Sequence, residues 1–433
     1  MSSNIAKHSS EYPNSYYFST KNRSVELGSL NESLSCDVCI IGAGYTGLSS
    51  ALHLSERGYD VVVLEAHQVA WGASGRNGGQ LGSGQRKEQP ELEKMMGAAD
   101  ARKLWDLAEE AKNTARSLIA THNIDCDLKH GVAQPNHREK YDRDSKEEVE
   151  ILNERYDYDQ ISYLDRQQMR DLVGSGTYFG GTLDVGASHL HPLNYALGLA
   201  AAAVKAGARI FEHSPVESYV EGAINQVKTQ KHTVKAKSVI VACNGYLGAL
   251  ERRMAGKIMP INNFILATEP LAQSVVDEIN PKDIAFADSR FVVNYYRLSA
   301  DKRLLFGGGE NYSPNFPKDL ASFVQKPMLQ VYPQLKETRI DFAWGGTLAV
   351  TLNRMPHFGR IGKSNIYFAQ GYSGHGVAMA TLAGKLLAEG LAGEQERFEL
   401  MSKVPTPPFP GGAMLRYPGL VLGMMYYAFR DRF

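Results

Sequence analysis

Four cysteines in 433 residues are too few for a disulfide scaffold. A chain of this length buries enough surface to fold without such staples. No apolar run approaches the ~20 residues that span a bilayer. The polar start Met1-Ser2-Ser3-Asn4 lacks the apolar region of a secretory signal. These absences point to a cytoplasmic protein with reduced thiols. Neither charge sign is in excess: Lys and Arg total 47, and so do Asp and Glu. That balance argues against a broad electrostatic grip on nucleic acid or anionic lipid. There is no G-x-S-x-G elbow, no Walker A loop and no repeat at solenoid periods. Cys36-Asp37-Val38-Cys39 lies in a strand, where residues three apart face opposite sides, so it reads as two buried small residues rather than a redox pair. His189-Leu190-His191 has no accompanying ligand cluster, so no metal is expected.

Glycine is plentiful instead, at 41 residues, and it is clustered. Asp37–Ile41 reads as a buried strand, Gly42–Gly47 breaks it, Leu48–Arg57 reads as a helix ended by Gly58, and Val61–Leu64 is a second apolar strand. That order within about 30 residues makes a βαβ unit and a parallel sheet. Gly42-Ala43-Gly44-Tyr45-Thr46-Gly47 matches G-x-G-x-x-G between strand and helix, and Glu65 ends the second strand. Gly42 permits the tight turn, Gly44 the approach of a pyrophosphate, and Gly47 the close packing of helix on strand. The helix N-terminus then faces the diphosphate, Glu65 can accept hydrogen bonds from ribose hydroxyls, and Ala66 beside it is a further candidate cofactor-binding residue.

A second glycine-rich loop, Ala73-Ser74-Gly75-Arg76-Asn77-Gly78-Gly79-Gln80, follows at once, and a third, Gly371-Tyr372-Ser373-Gly374-His375-Gly376, lies between a late strand and a helix. A simple NAD dehydrogenase has no need of the second loop. A long cofactor lying across the sheet does. The third loop offers another helix N-terminus, suited to the anionic edge of a reduced flavin.

With Ala242-Cys243-Asn244-Gly245, these segments give residues 35–395 a resemblance to the D-amino-acid oxidase-like FAD-dependent oxidoreductases. Gly72–Gln80, Gly186–Leu193, Gln370–Val377 and Tyr427–Phe433 most resemble the gamma-glutamylputrescine oxidoreductases within it. The resemblance implies an α/β fold: a Rossmann-like, glutathione-reductase-type parallel sheet domain for FAD, with an inserted β-rich antiparallel substrate domain. Residues 30–90, 190–255 and 355–395 would form the first, 91–189 and 256–354 the second, and 396–433 a tail. It further implies that Gly42, Gly44, Tyr45, Thr46 and Gly47 hold pyrophosphate. Ser74, Gly75, Arg76, Asn77, Gly78 and Gln80 would line the ribityl chain and flavin. Val216 would present its backbone to adenine, Gly245 would join the cofactor site, and Gly374, His375 and Gly376 would meet the flavin pyrimidine edge.

Two departures from related subfamilies shape the expected chemistry. Sarcosine oxidase-like enzymes tether flavin through a late Cys, but none follows Cys243, so non-covalent FAD is expected. The Lys and Arg-Pro carboxylate ligands of relatives are replaced by Val377-Ala378-Met379 and Trp344-Gly345-Gly346-Thr347. Both losses disfavour a simple α-amino acid and favour an amine. The resemblance therefore implies oxidative deamination of gamma-glutamylputrescine or a similar amine, with oxygen or another acceptor as partner. An amino-acid or N-methyl-amine oxidase and a non-catalytic flavin-binding protein are the alternatives.

For the substrate, His375, Tyr295, Arg297 and Trp344 are the candidates. Strand alternation in Asn294-Tyr295-Tyr296-Arg297 puts Tyr295 and Arg297 on one face. Arg297 suits a distal carboxylate, or equally a structural ion pair. Trp344 suits a pocket wall, or simply core. The apolar stretch Leu420–Phe429, flanked by Arg416, Arg430 and Arg432, reads as a packed tail, with contact at a membrane surface as the other reading.

Overall fold

The computed structural model describes residues 11–311, 315–362 and 364–412. Val61–Leu64 is buried on both faces, as a continuous apolar run in a parallel sheet requires. It pairs in parallel with Leu34–Ile41, which pairs in parallel with Thr233–Val241, which in turn pairs with Ile366–Gln370. Arg209–Phe211 extends one edge in parallel, and His357–Arg360 closes the other antiparallel. A hairpin of Val216–Val220 and Asn225–Thr229 completes this eight-stranded sheet.

Helices Tyr45–Glu56, Pro192–Lys205 and Gly376–Leu391 cover one face and share its core. Gly376–Leu391 crosses Tyr45–Glu56 very closely: a Cβ on Gly384 would lie 2.5 Å from Ser49 Cβ. Each of these two helices begins at the C-terminal end of a parallel strand, so their N-termini open on the same side of the sheet.

The second sheet has nine strands, running from Ile340–Val350 through Met259–Thr268, Leu304–Asn311, Tyr295–Leu298, Ala285–Ala287, Lys129–Pro135 and Gly181–His189 to Gln80–Leu81, with Ile161–Leu164 also on Gly181–His189. It is antiparallel except where Ala285–Ala287 meets Lys129–Pro135. Helix Leu320–Val331 packs into its separate core through Val324, Met328 and Val331.

Three details depart from the expected layout. The helical stretch over 91–121 is two helices, Gln89–Met96 and Ala98–Thr121, broken at Gly97 with φ +83°. The second packs with the first sheet's helices, because its row of Ala101, Leu104, Ala108, Ala111 and Ala115 matches their small apolar residues. Gln80–Leu81 belongs to the second sheet. Finally, the strand expected from Phe291 begins only at Tyr295, because Asp288 Oδ1 accepts from the Asn294 backbone N–H at 3.0 Å and folds 288–294 into a turn.

The amino-terminal arm lies on the body. Tyr17 is fully buried, edge-on to Trp344, and Tyr16 donates to Asp301 Oδ1 at 2.7 Å. No described helix is long and apolar enough to cross a membrane. The apolar stretch at 420–429 lies outside the described residues.

Candidate active site

Each glycine of the first loop has a distinct steric reason. Gly42 has φ +105°, and a Cβ there would meet Ala242 O at 2.9 Å. A Cβ on Gly47 would sit 1.9 Å from Gly42 O, so only glycine lets the helix start so close to the turn. Gly44 faces Ser74, whose Oγ accepts from Tyr45 N at 3.0 Å and caps that helix. Glu65 accepts from the backbone N–H of Ala43 at 2.8 Å and of His67 at 2.9 Å. Burial raises its carboxyl above the ordinary range, and those two N–H groups pull it back.

These residues open onto a cleft of 1370 Å³ between the two sheets. That exceeds the ~300–1,000 Å³ of a common small-ligand pocket. Gly42, Gly44, Tyr45, Thr46, Glu65 and Ala66 line one end. Ser74, Arg76, Asn77, Gly78 and Gln80 line its middle, and Val216 also reaches it. Gly374, His375 and Gly376 line the wall at the second helix N-terminus. Gly47, Gly75 and Gly245 stand behind the wall: a Cβ on Gly75 would strike Ala70 O at 2.4 Å, and one on Gly245 would meet Thr347 O at 2.9 Å. They permit close backbone approach rather than contact with a ligand.

The middle loop is held by its own polar groups. Asn77 Nδ2 donates to Ala73 O and Ser74 O, and its Oδ1 accepts from Gly79 N at 2.8 Å. Arg76 stacks on Trp71 at 4.1 Å and donates to Trp71 O and Gly345 O. His375 is neutral, because burial and then the charge of Arg86 push its pKa down to about 4. Its Nε2 is buried without a hydrogen-bond partner, a polar group left for a ligand.

Two expected substrate residues lie elsewhere. Arg297 is 1% exposed behind the Gly78–Gly79 turn, where its Nε donates to Gly78 O at 2.9 Å and its Nη1 to Leu298 O. Tyr295 and Arg297 both face the Gly78–Gly79 turn, but the turn covers Arg297 and no distal carboxylate can reach the guanidinium. Trp344 is likewise 1% exposed, and its Nε1 donates to Arg76 O at 3.1 Å, so it supports the loop from behind. Tyr295 does line the cleft, with its hydroxyl donating to Asn263 Oδ1.

A buried polar network that no sequence motif spells out runs along the same wall. Asp184 accepts from Tyr158 at 2.5 Å, from Gly186 N and Ala187 N, and from Ser83. Lys112, 2% exposed, donates to Ser83 and Tyr158 and pairs with Glu109 at 2.8 Å. The Gly82–Gly84 continuation of the second glycine loop was the one local hint of it. Asp184→Ala leaves the Tyr158 and Ser83 hydroxyls and the Gly186 and Ala187 N–H groups without their acceptor. It is expected to cost about 3 kcal/mol in urea unfolding. A loss below about 0.5 kcal/mol would show that the network is solvated and weak.

The family model of the FAD dependent oxidoreductases (DAO) matches residues 37–390. The chain belongs to this family. Gamma-glutamylputrescine oxidoreductase of Escherichia coli (strain K12) is 43% identical over 423 residues, covering 98% of this chain and 99% of that protein. Glycine oxidase of Bacillus subtilis (strain 168) is 25% identical over 370 residues, covering 82% of this chain and 92% of that protein. Among solved structures, glycine oxidase from Geobacillus kaustophilus superposes with a TM-score of 0.72 at 18% identity, covering 87% of this chain and all of that one. The protein is thus an FAD-dependent oxidoreductase of the DAO family.

The cleft fits FAD. Its volume, the cradle at Gly44 that a Cβ would fill and the orphan His375 Nε2 all suit a long dinucleotide. The Gly42–Gly47 turn would hold the pyrophosphate, Glu65 the ribose, the Ser74–Gln80 loop the flavin-side chain, and Gly374–Gly376 the ring edge.

Proposed function

We propose that this DAO-family member oxidatively deaminates a primary amine of the gamma-glutamylputrescine type, using non-covalently held FAD. The observation that carries this reading is the near full-length 43% identity to a relative of that name. The geometry supports it. Val377, Ala378 and Met379 are buried and apolar where a carboxylate-binding cation would stand. Gly346, with no side chain to hold a carboxylate, lines the cleft in the stretch that carries the second such ligand in relatives.

FAD, when bound, supplies the acceptor for the hydride equivalent removed from the carbon beside nitrogen. The chain supplies the surroundings. The buried apolar residues Val377 and Ala380 that line the cleft favour the neutral amine, the form whose C–H bond can be broken. Neutral His375 offers Nε2 without adding a charge. The Asn77-braced loop fixes the middle wall before substrate arrives. With oxygen as acceptor, amine, oxygen and water yield aldehyde, ammonia and hydrogen peroxide.

Anaerobic addition of gamma-glutamylputrescine to the yellow holoenzyme is expected to bleach it faster than glycine or sarcosine. Air should restore the colour with one peroxide per turnover. Fastest bleaching by glycine or sarcosine overturns the reading. Recolouring by a quinone but not by air reassigns the acceptor.

A further inference from the structure

Beyond the residues placed for FAD, the cleft continues into a side chamber between the segment 85–89 and helix Tyr141–Tyr156. Glu88 and Glu148 both line it. Glu148 has no hydrogen bond or ion pair among the described residues. Burial, then the charges of Glu88 and Asp184, push its carboxyl up to about 7.

Two glutamines sharpen the picture. Gln85 is 9% exposed, and its Nε2 donates to Leu104 O at 2.8 Å. That carbonyl fixes which end of the amide is which, and Oε1 is left buried without a donor. Gln89, 4% exposed, repeats the arrangement one turn away, with Nε2 on Ala101 O and Oε1 unpartnered. Both line the cleft. Of the cations that line this stretch, Lys87 pairs with Glu91, Arg86 Nε donates to Ser373 O at 3.2 Å, and Lys94 is exposed.

Buried acceptors without donors, beside a carboxylate without a counter-ion, call for a ligand that donates N–H and carries positive charge. An ammonium does both. The reacting nitrogen cannot be that group. It must lose its proton before its carbon gives up hydride, and carboxylates stabilise the protonated form. We propose that the chamber binds a second, protonated nitrogen of the substrate, so that the enzyme selects amines bearing a cationic group remote from the carbon that is oxidised. This rests on the amine-oxidation reading above. The α-ammonium of a γ-glutamyl amine and the far end of a diamine both qualify.

The test uses holoenzyme and 2,5-dimethylhexane-2,5-diamine, a diammonium whose nitrogen-bearing carbons have no hydrogen to lose. Calorimetry is expected to show binding to the wild type that is about tenfold weaker in Glu148→Gln and in Gln85→Leu. The flavin spectrum and melting temperature should be unchanged in both. In turnover, KM for 1,4-diaminobutane should rise about tenfold in both variants, while its kcat and the KM for pentylamine move less than about twofold. Equal probe affinity in all three proteins overturns the chamber, even if amines bleach the flavin. Weakened probe binding with no bleaching by any amine leaves the cation site standing and removes the amine-oxidation reading alone.

Discussion

Gly47→Val is expected to purify colourless. Its Cβ would sit 1.9 Å from Gly42 O and 3.3 Å from Ile40 Cγ2, and neither atom can yield without moving the strand or the turn. The helix Tyr45–Glu56 must back away instead, carrying its free N–H groups off the position the pyrophosphate needs. Overpacking of this kind costs about 1–3 kcal/mol of stability. The lost alignment should weaken FAD by about 100-fold, close to 3 kcal/mol. Flavin per protein after purification, and a reconstitution titration, measure both terms. Gly176→Ala, at an exposed glycine with nothing within 4 Å, is the control and should stay within about 0.5 kcal/mol of wild type. Full flavin content in Gly47→Val would mean that this turn does not set the cofactor's seat.

The second large effect is acid sensitivity well above the carboxylate range. Five histidines fold as neutral groups. Burial pushes His53 and His375 down to about 4, and His189, His191 and His357 to about 3, with the Arg297 charge adding to the shift of His189 and His191. Unfolded, each titrates near 6.5. Below that pH the unfolded chain binds protons that the native state refuses, so stability is full above 6.5 and falls as pH drops toward 4. Glu148, pushed up to about 7, acts in the opposite sense, as do Glu65, Glu88, Glu212, Asp288 and Glu389, all raised by burial. Each histidine that stays neutral in the fold while its unfolded counterpart is protonated removes about 1.4 kcal/mol of stability per pH unit between 6 and 5. Urea unfolding at pH 5.0, 5.5, 6.0 and 7.0 reads that slope. His357→Gln, remote from the cleft, should lower it by about one proton. An unchanged slope in His357→Gln would mean that this histidine is hydrated in the fold.

What the sequence made legible was local. Val61–Leu64 and the Gly42–Gly47 turn announce themselves within a dozen residues, because each physical demand falls on neighbours in the chain. The loop Ser74–Gln80 was visible for the same reason. The polar wall was not. Ser83, Glu109 with Lys112, Tyr158 and Asp184 come from four separate stretches, and helical spacing links only Glu109 and Lys112. Gln85 and Gln89 were hidden too, because a glutamine becomes informative only when one end of its amide is seen to be taken. Arg297 shows a third limit. Alternation predicted its face, but what covers that face is a turn more than 200 residues earlier.

The cleft is closed by partners far apart along the chain: Gly42 and Gly44 at one end, Gly374 and Gly376 at the other, clamped where Gly384 meets Ser49. During synthesis the loops between Gly42 and Gln80 can form long before the Gly374–Gly376 wall exists. Cofactor capture must therefore wait for the last helix to emerge and dock. Yellow colour in a cell extract is then a gauge of completed molecules, and a chain cut short before residue 376 would accumulate pale however well its first βαβ unit had folded.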